Sequence, residues 1–162
     1  MKISVQTTDF DVGAEMAELR GAGTNIGAHI GAIASFVGLV RDMNDGSGVS
    51  TLTLEHYPGM TEKALAAIVT QAESRWELLG CTVIHRVGDL KPADQIVLVI
   101  VASSHRGHAF EACEFIMDYL KTQAPFWKKE LTPQGHRWVD SRDSDAAAVS
   151  RWQVSAQEGK IN

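Results

Sequence analysis

The chain of 162 residues holds only two cysteines, Cys81 and Cys113, and neither belongs to a CxxC pair. A disulfide framework is therefore not expected, and a reducing, cytoplasmic setting is the default. No apolar run approaches the roughly 18 residues that a membrane-crossing helix needs. The N-terminal stretch lacks the basic start, apolar run and small-residue cleavage site of a secretory signal. Net charge is −5, so a general affinity for nucleic acid or for an anionic membrane is not expected. No segment repeats. What remains is ordinary for a globular domain: 44% hydrophobic and 22% charged residues, in a chain long enough for one domain with a sizeable core.

The positive charge is unevenly placed. Between residues 121 and 142, Lys121, Lys128, Lys129, Arg137 and Arg142 outnumber Glu130 and Asp140. A basic patch on an acidic body points to a specific anionic ligand rather than to a polyanion. The stretch "TQAPFWKKELTPQGHRW", Thr122 to Trp138, sets two lysines directly behind Phe126 and Trp127, just after a proline.

Periodicity predicts an α+β fold. "MKISVQTT" reads as a strand and Val12–Arg20 as a short helix. "HIGAIASFVGLV" and "STLTLEHY" read as strands. Leu65, Ile68, Val69, Ala72 and Trp76 mark a helix with Thr61 as its N-cap and Gly80 as its stop. "CTVIHRVG" and "DQIVLVIVAS" read as a hairpin joined by "GDLKPA". A second long helix runs from about Ser104 to Gln123, with an apolar stripe of Phe110, Cys113, Ile116, Met117 and Leu120. Pro125 ends it, lacking an N–H and disfavouring a helical predecessor. A strand at Gly135–Val139 and a helical piece at Ser144–Trp152 complete a sheet with helices on one face. "GAGTNIGAH" reads as a small-residue turn and "RDMNDGSGVS" as a polar, mobile loop. None of these divides the chain, so residues 1–162 are expected to form one domain, with a core over about 28–142 and a frayed tail after 152.

Several places carry candidate chemistry. "SSHRGHAF" opens a helix directly after an apolar strand; serine caps, His105, Arg106 and free N–H groups there would hold a phosphate or carboxylate, or simply cap the helix. His105 and His108 share a helical face, but zinc would need two further ligands that do not announce themselves, so no metal is expected. Lys121 lies one turn past Met117, suited either to a site or to the helix dipole and Asp118. Lys128, beside aromatics expected to bury, would be desolvated, which lowers its pKa and frees its amine for reaction. Lys129 should point the other way in an extended segment. Arg41 opens the glycine-rich loop, where either a ligand contact or a solvated strand end accounts for it. Glu55 and His56 sit in a strand-to-helix turn that explains them equally well.

"LEHYPGMTEKAL", "SSHRGHAFEACEFIMDYLKTQAPFWKKE", "RWVDSR" and "FVGLVRD" together resemble the MoaE family, the large, catalytic subunits of molybdopterin synthase. The resemblance runs from about Ala28 to Arg142. It implies an α/β-hammerhead fold, mainly antiparallel, and a homodimer. It implies a small ubiquitin-like sulfur-carrier partner, MoaD-like, ending in a Gly-Gly thiocarboxylate at each end of that dimer. It implies sulfur transfer from two such tails to cyclic pyranopterin monophosphate, forming the molybdopterin dithiolene, with no cofactor or metal of the enzyme's own. By the same resemblance Lys121 and Lys128 are the catalytic lysines. Arg41, His105, Arg106 and Arg142 bind anion and pterin, and Phe36, Met117 and Glu130 line the pocket. Two other readings of the residues stand beside it. One is a regulatory domain binding a phosphorylated metabolite; the other is a cyclic-phosphate hydrolase with His105 as base.

Overall fold

The computed structural model describes residues 1–21, 25–140 and 142–158. In chain order these form β1 (Lys2–Gln6), α1 (Val12–Leu19), β2 (Ala32–Leu39), β3 (Met43–Asn44), β4 (Ser47–Gly48), β5 (Thr51–His56), α2 (Met60–Glu73), β6 (Gly80–Arg86), β7 (Gly88–Leu90), β8 (Gln95–Ser103), α3 (Arg106–Gln123), β9 (Phe126–Thr132), β10 (Gly135–Val139) and α4 (Asp143–Glu158). Part of "GAGTNIGAH" lies outside the described residues; Asn25–His29 form a turn of 3-10 helix.

The strands make two four-stranded sheets and one small hairpin. The first sheet has the order β1-β6-β8-β2 and the second β10-β9-β5-β7. Every pairing is antiparallel except that of β1 with β6. Strand β8 reads as an unbroken apolar run because it is covered on both faces. Val97, Val99 and Val101 meet the core beneath α2 and α3. Leu98 and Ile100 meet Ile84 and Phe10, under Val12, Met16 and Leu19 at α1. The two long helices thus pack on one face, as expected, and the short α1 adds partial cover to the other.

The predicted β6–β8 hairpin forms, but its connection is not a simple turn. Gly88–Leu90 leave the first sheet and pair with β5 in the second. Gly88, at φ 85°, makes that departure possible. The excursion ties the two sheets together, and Leu90 and Val87 pack with Leu52, Leu54 and Val40 in a core of their own.

Helix α2 starts and stops earlier than its pattern suggested. Gly59 caps it, its N–H donating to the Glu62 carboxylate at 2.6 Å. Thr61 lies inside the first turn, where its hydroxyl donates to the Pro125 carbonyl at 3.0 Å and accepts from the Tyr57 N–H at 3.0 Å. The Ser74 hydroxyl bonds the Gln71 carbonyl at 2.7 Å and ends the helix. Trp76 therefore lies beyond it, edge-on to Phe115 and Trp152. Because Thr61 is buried and bridges α2 to the turn before β9, Thr61→Val should lower stability by about 1–2 kcal/mol in a denaturant titration, with unchanged secondary structure.

Helix α3 buries Ala109, Ala112, Cys113, Phe115, Ile116, Met117, Tyr119 and Leu120. Phe110 is not in this stripe; it is 67% exposed. Helix α4 docks on α3, with Trp152 Nε1 donating to Asp118 at 2.7 Å and its ring edge-on to Phe115. Both cysteines are free and buried, and burial raises the Cys81 thiol pKa to about 12 and that of Cys113 to about 11, so neither is a ready nucleophile.

Candidate active site

A cavity of about 650 Å³ opens where the sheets meet the end of α3 and the start of α4. Its walls come from segments far apart in sequence. Arg41 follows β2, Lys121 stands in the last turn of α3, Lys128 is on β9, and Arg142 directly precedes α4. The route from Lys121 to Lys128 is short because Ala124 adopts extended backbone and Pro125 follows, so the chain leaves the helix at once and enters β9.

Strand β9 then sets the side chains by alternation. Phe126, Lys128 and Glu130 all line the cavity. Lys129 turns away and lies over the Trp138 ring at 5.4 Å. Phe126 stacks on His85, with ring centroids 3.9 Å apart and planes 21° from parallel. Trp127, expected to anchor the turn in the core, is instead 49% exposed on the outer face.

The cavity is electrostatically tense. Lys128 lines the cavity and keeps part of its surface open to solvent, with protein packed around the rest. That surrounding mass lowers its pKa from the usual 10.5, the positive charges of Lys121 and Arg142 push the same way, and Asp145 and Glu130 oppose them. Lys121 has Asp145 at 3.9 Å and is half exposed.

Asn44 is the hub that orients the guanidinium groups. Its Oδ1 accepts from Arg142 Nη2 and, at 3.5 Å, from Arg41 Nη2. Its Nδ2 donates to Glu130 Oε1 at 2.6 Å. Glu130 Oε2 accepts from Arg137 Nε at 3.0 Å, and Arg137 Nη2 donates to the Asn44 carbonyl at 2.9 Å. Glu130 is therefore 5% exposed and wholly engaged, a strut behind the wall rather than a group facing a ligand.

Of the residues singled out in the sequence, Arg41, Lys121, Lys128, Arg142, Phe36, Met117 and Glu130 share this cavity. His105 and Arg106 do not. They are exposed at the start of α3, about 22 Å along the helix axis from Lys121. Serine contributes there only through Ser103, whose hydroxyl accepts from the His105 N–H at 3.3 Å. His105 is the capping residue without a side-chain bond to the helix, and the Ser103 hydroxyl donates to the Glu77 carbonyl at 2.7 Å. His105 and His108 stand edge-on with ring centroids 5.7 Å apart, and among the described residues no cluster of three or more metal-ligating side chains occurs.

Sequence reasoning missed Asn44, His85 and Asp145. Asn44 lay in the segment read as a mobile loop, yet Met43–Asn44 and Ser47–Gly48 pair as a hairpin. Asp45 and Gly46 both take positive φ, the two-residue turn that an Asp-Gly dipeptide signals. His85 was hidden in a strand read only for its apolar residues. Asp145 reaches the cavity because α4 begins at Asp143.

The α+β fold that holds this cavity has solved counterparts. The family model described as "MoaE protein" matches residues 5–123, beginning upstream of the motifs quoted above. The "Molybdopterin synthase catalytic subunit" of Ralstonia nicotianae is 66% identical over 152 residues, 94% of this chain and 84% of that protein. The solved "Molybdopterin biosynthesis MoaE protein" of Burkholderia ambifaria MC40-6 superposes with a TM-score of 0.77 at 55% identity, covering 94% of this chain and 97% of that one. A molybdopterin synthase structure from Staphylococcus aureus superposes at 0.75 with 28% identity, covering 84% and 95%. The chain belongs to the MoaE family.

Proposed function

We propose that this chain is the catalytic subunit of a molybdopterin synthase, a sulfurtransferase that moves sulfur from the C-terminal thiocarboxylate of a small ubiquitin-like subunit onto cyclic pyranopterin monophosphate. The observation that carries this reading is the convergence of Arg41, Lys121, Lys128 and Arg142 on one hollow in a chain of net charge −5. Two anions must meet for this reaction, a cyclic phosphate and a thiocarboxylate, and their repulsion must be offset where they meet.

In the proposed mechanism the thiocarboxylate sulfur attacks the substrate carbon beside the pterin. Lys121 holds the tail's acyl group and offsets its charge. Lys128 moves the proton as the cyclic phosphate opens, and water then cleaves the acyl link to release the spent tail. Arg41 and Arg142, aligned through Asn44, hold the phosphate. The tail enters extended, its glycines allowing close backbone approach.

The working assembly is a dimer of this chain with one small subunit on each copy, in the cytoplasm, where free thiols and a thiocarboxylate persist. Among the described residues no helix is long and apolar enough to cross a membrane. The hydrolase reading needed His105 beside the anion, and His105 does not line the cavity. All residues described belong to one domain in this reading.

The test is reconstitution with a purified partner ending in Gly-Gly thiocarboxylate. Dithiolene should form with that partner and not with its carboxylate form. Product without the partner, or none with it, would overturn the assignment.

A further inference from the structure

His85 is a buried titratable group that the reaction scheme above leaves unused. It is 4% exposed, yet it lines the cavity. Its backbone is held on both sides, paired with Val5 of β1 and Val97 of β8. Its ring is held as well, stacked on Phe126. Nδ1 lies 2.8 Å from the Arg86 carbonyl, which can only accept, so Nδ1 carries the proton and Nε2 carries a lone pair. No hydrogen-bond partner among the described residues meets Nε2, and Nε2 is not one of their sealed, unpartnered polar atoms. The open side of His85 is the cavity.

The chemistry of that cavity gives the lone pair a purpose. Arg41, Arg142 and, while charged, Lys121 and Lys128 can only donate. The buried acceptors behind them are engaged: both Glu130 oxygens face Asn44 and Arg137, and Asn44 Oδ1 faces two guanidinium groups, which leaves the exposed Asp140 and Ser144 at the wall of α4. Asp145 faces Lys121. A cavity of donors suits anionic oxygens but leaves any N–H of the incoming molecules without a buried partner, at a cost in buried surroundings. We propose that Nε2 of His85 is the hydrogen-bond acceptor for such an N–H, on the pterin ring or on the glycyl amide of the partner's tail. Burial holds the imidazole pKa down to about 4, and the charges of Lys128 and of His56, when protonated, push the same way against the Arg86 carbonyl. The ring is thus neutral, and the lone pair available, at physiological pH.

This inference rests on the synthase reading for the identity of the ligands, so wild-type turnover with the thiocarboxylated partner is measured first; its absence sinks that reading and leaves the binding arm below intact. Three variants then separate the two ring nitrogens. His85→Asn keeps a donor for the Arg86 carbonyl and, being shorter, leaves no acceptor at the Nε2 position; His85→Phe keeps the stack and removes both; His85→Gln carries an amide oxygen to the Nε2 position. The first two should raise KM for one reactant roughly tenfold or more, and His85→Gln should recover most of it. A rise confined to the pterin precursor assigns the ring N–H; one confined to the partner assigns the tail amide. Folded His85→Asn with both KM values within about twofold of wild type refutes the acceptor, as does His85→Gln as impaired as His85→Asn. Should the variants not fold, wild-type protein with ¹⁵N-labelled histidine decides. The His85 Nε2 resonance should move on adding the carboxylate-tailed partner or cyclic pyranopterin monophosphate, and its standing still with both overturns the proposal.

Discussion

Lys128→Ala should lower kcat by about a hundredfold to ten-thousandfold in the reconstituted reaction, the range expected for a lost proton-transfer group. Its KM values should change far less, because Arg41, Lys121 and Arg142 still hold the anions. Lys128→Arg should not rescue. A guanidinium keeps the charge but holds its proton too tightly to exchange it, so recovery by arginine would reduce Lys128 to an electrostatic clamp. Lys129→Ala is the matching control; its ammonium lies over Trp138 outside the cavity, and turnover should stay within about twofold.

The lowered pKa of Lys128 gives that prediction a second readout. Crowding by protein is the first cause, and the neighbouring charges of Lys121 and Arg142 add to it. The wild-type pH profile should therefore carry a limb below the ordinary lysine value of 10.5, missing from Lys128→Arg. A limb rising with pH marks the neutral amine as base, and a falling one marks the ammonium as acid. Arg142→Ala removes one repelling charge and should move the limb upward. The same shift has a sign for folding. The unfolded chain binds this proton more tightly than the folded one, so Lys128 opposes folding below its folded pKa. That opposition is relieved as pH climbs from there towards 10.5, and Lys128→Met should flatten this part of the stability curve, as denaturation across alkaline pH would reveal.

Lys128 was legible because its setting was local, whereas Arg142 came only with the family resemblance. Pro125 after a helix and an aromatic pair before two lysines implied a chain that turns back, and strand alternation chose Lys128 over Lys129. Trp127 failed the same reasoning because alternation put it on the outer face with Lys129. The apolar β8 run marked a covered strand, but nothing in "GDLKPA" told that Gly88–Leu90 would cross to the second sheet, since β5 lies more than thirty residues upstream. His105 and Arg106 show the limit from the other side. A helix N-terminus with a histidine and an arginine looks like an anion site in one dimension, yet within one chain an 18-residue helix carries it far from the hollow at its other end. Asn44 was illegible for a related reason. Its partners Glu130, Arg137 and Arg142 are distant in sequence, so only the fold could reveal a buried hub in place of a mobile loop.

That hub supports the other large prediction. Asn44→Ala should act in two ways at once. It removes the acceptor that aligns Arg41 and Arg142, and it strips Glu130 of one of its two partners in a buried position. Freed guanidinium groups sample many rotamers, so the phosphate must reorder them on binding. Hydrogen bonds to charged groups contribute about 1.5–3 kcal/mol, and kcat/KM should fall by about tenfold to a hundredfold, chiefly through KM for the pterin precursor. Stability should fall by about 1–3 kcal/mol, because Arg137 still pairs with Glu130 at 2.9 Å and limits the damage. Asn44→Asp distinguishes alignment from mere charge. The carboxylate would still accept from both arginines but would face Glu130 in place of a donor. It should therefore destabilise at neutral pH and recover as acid protonates the pair. Asn44→Ala retaining wild-type KM would show that the two arginines are aligned by the ligand itself, and the hub would then be a structural strut alone.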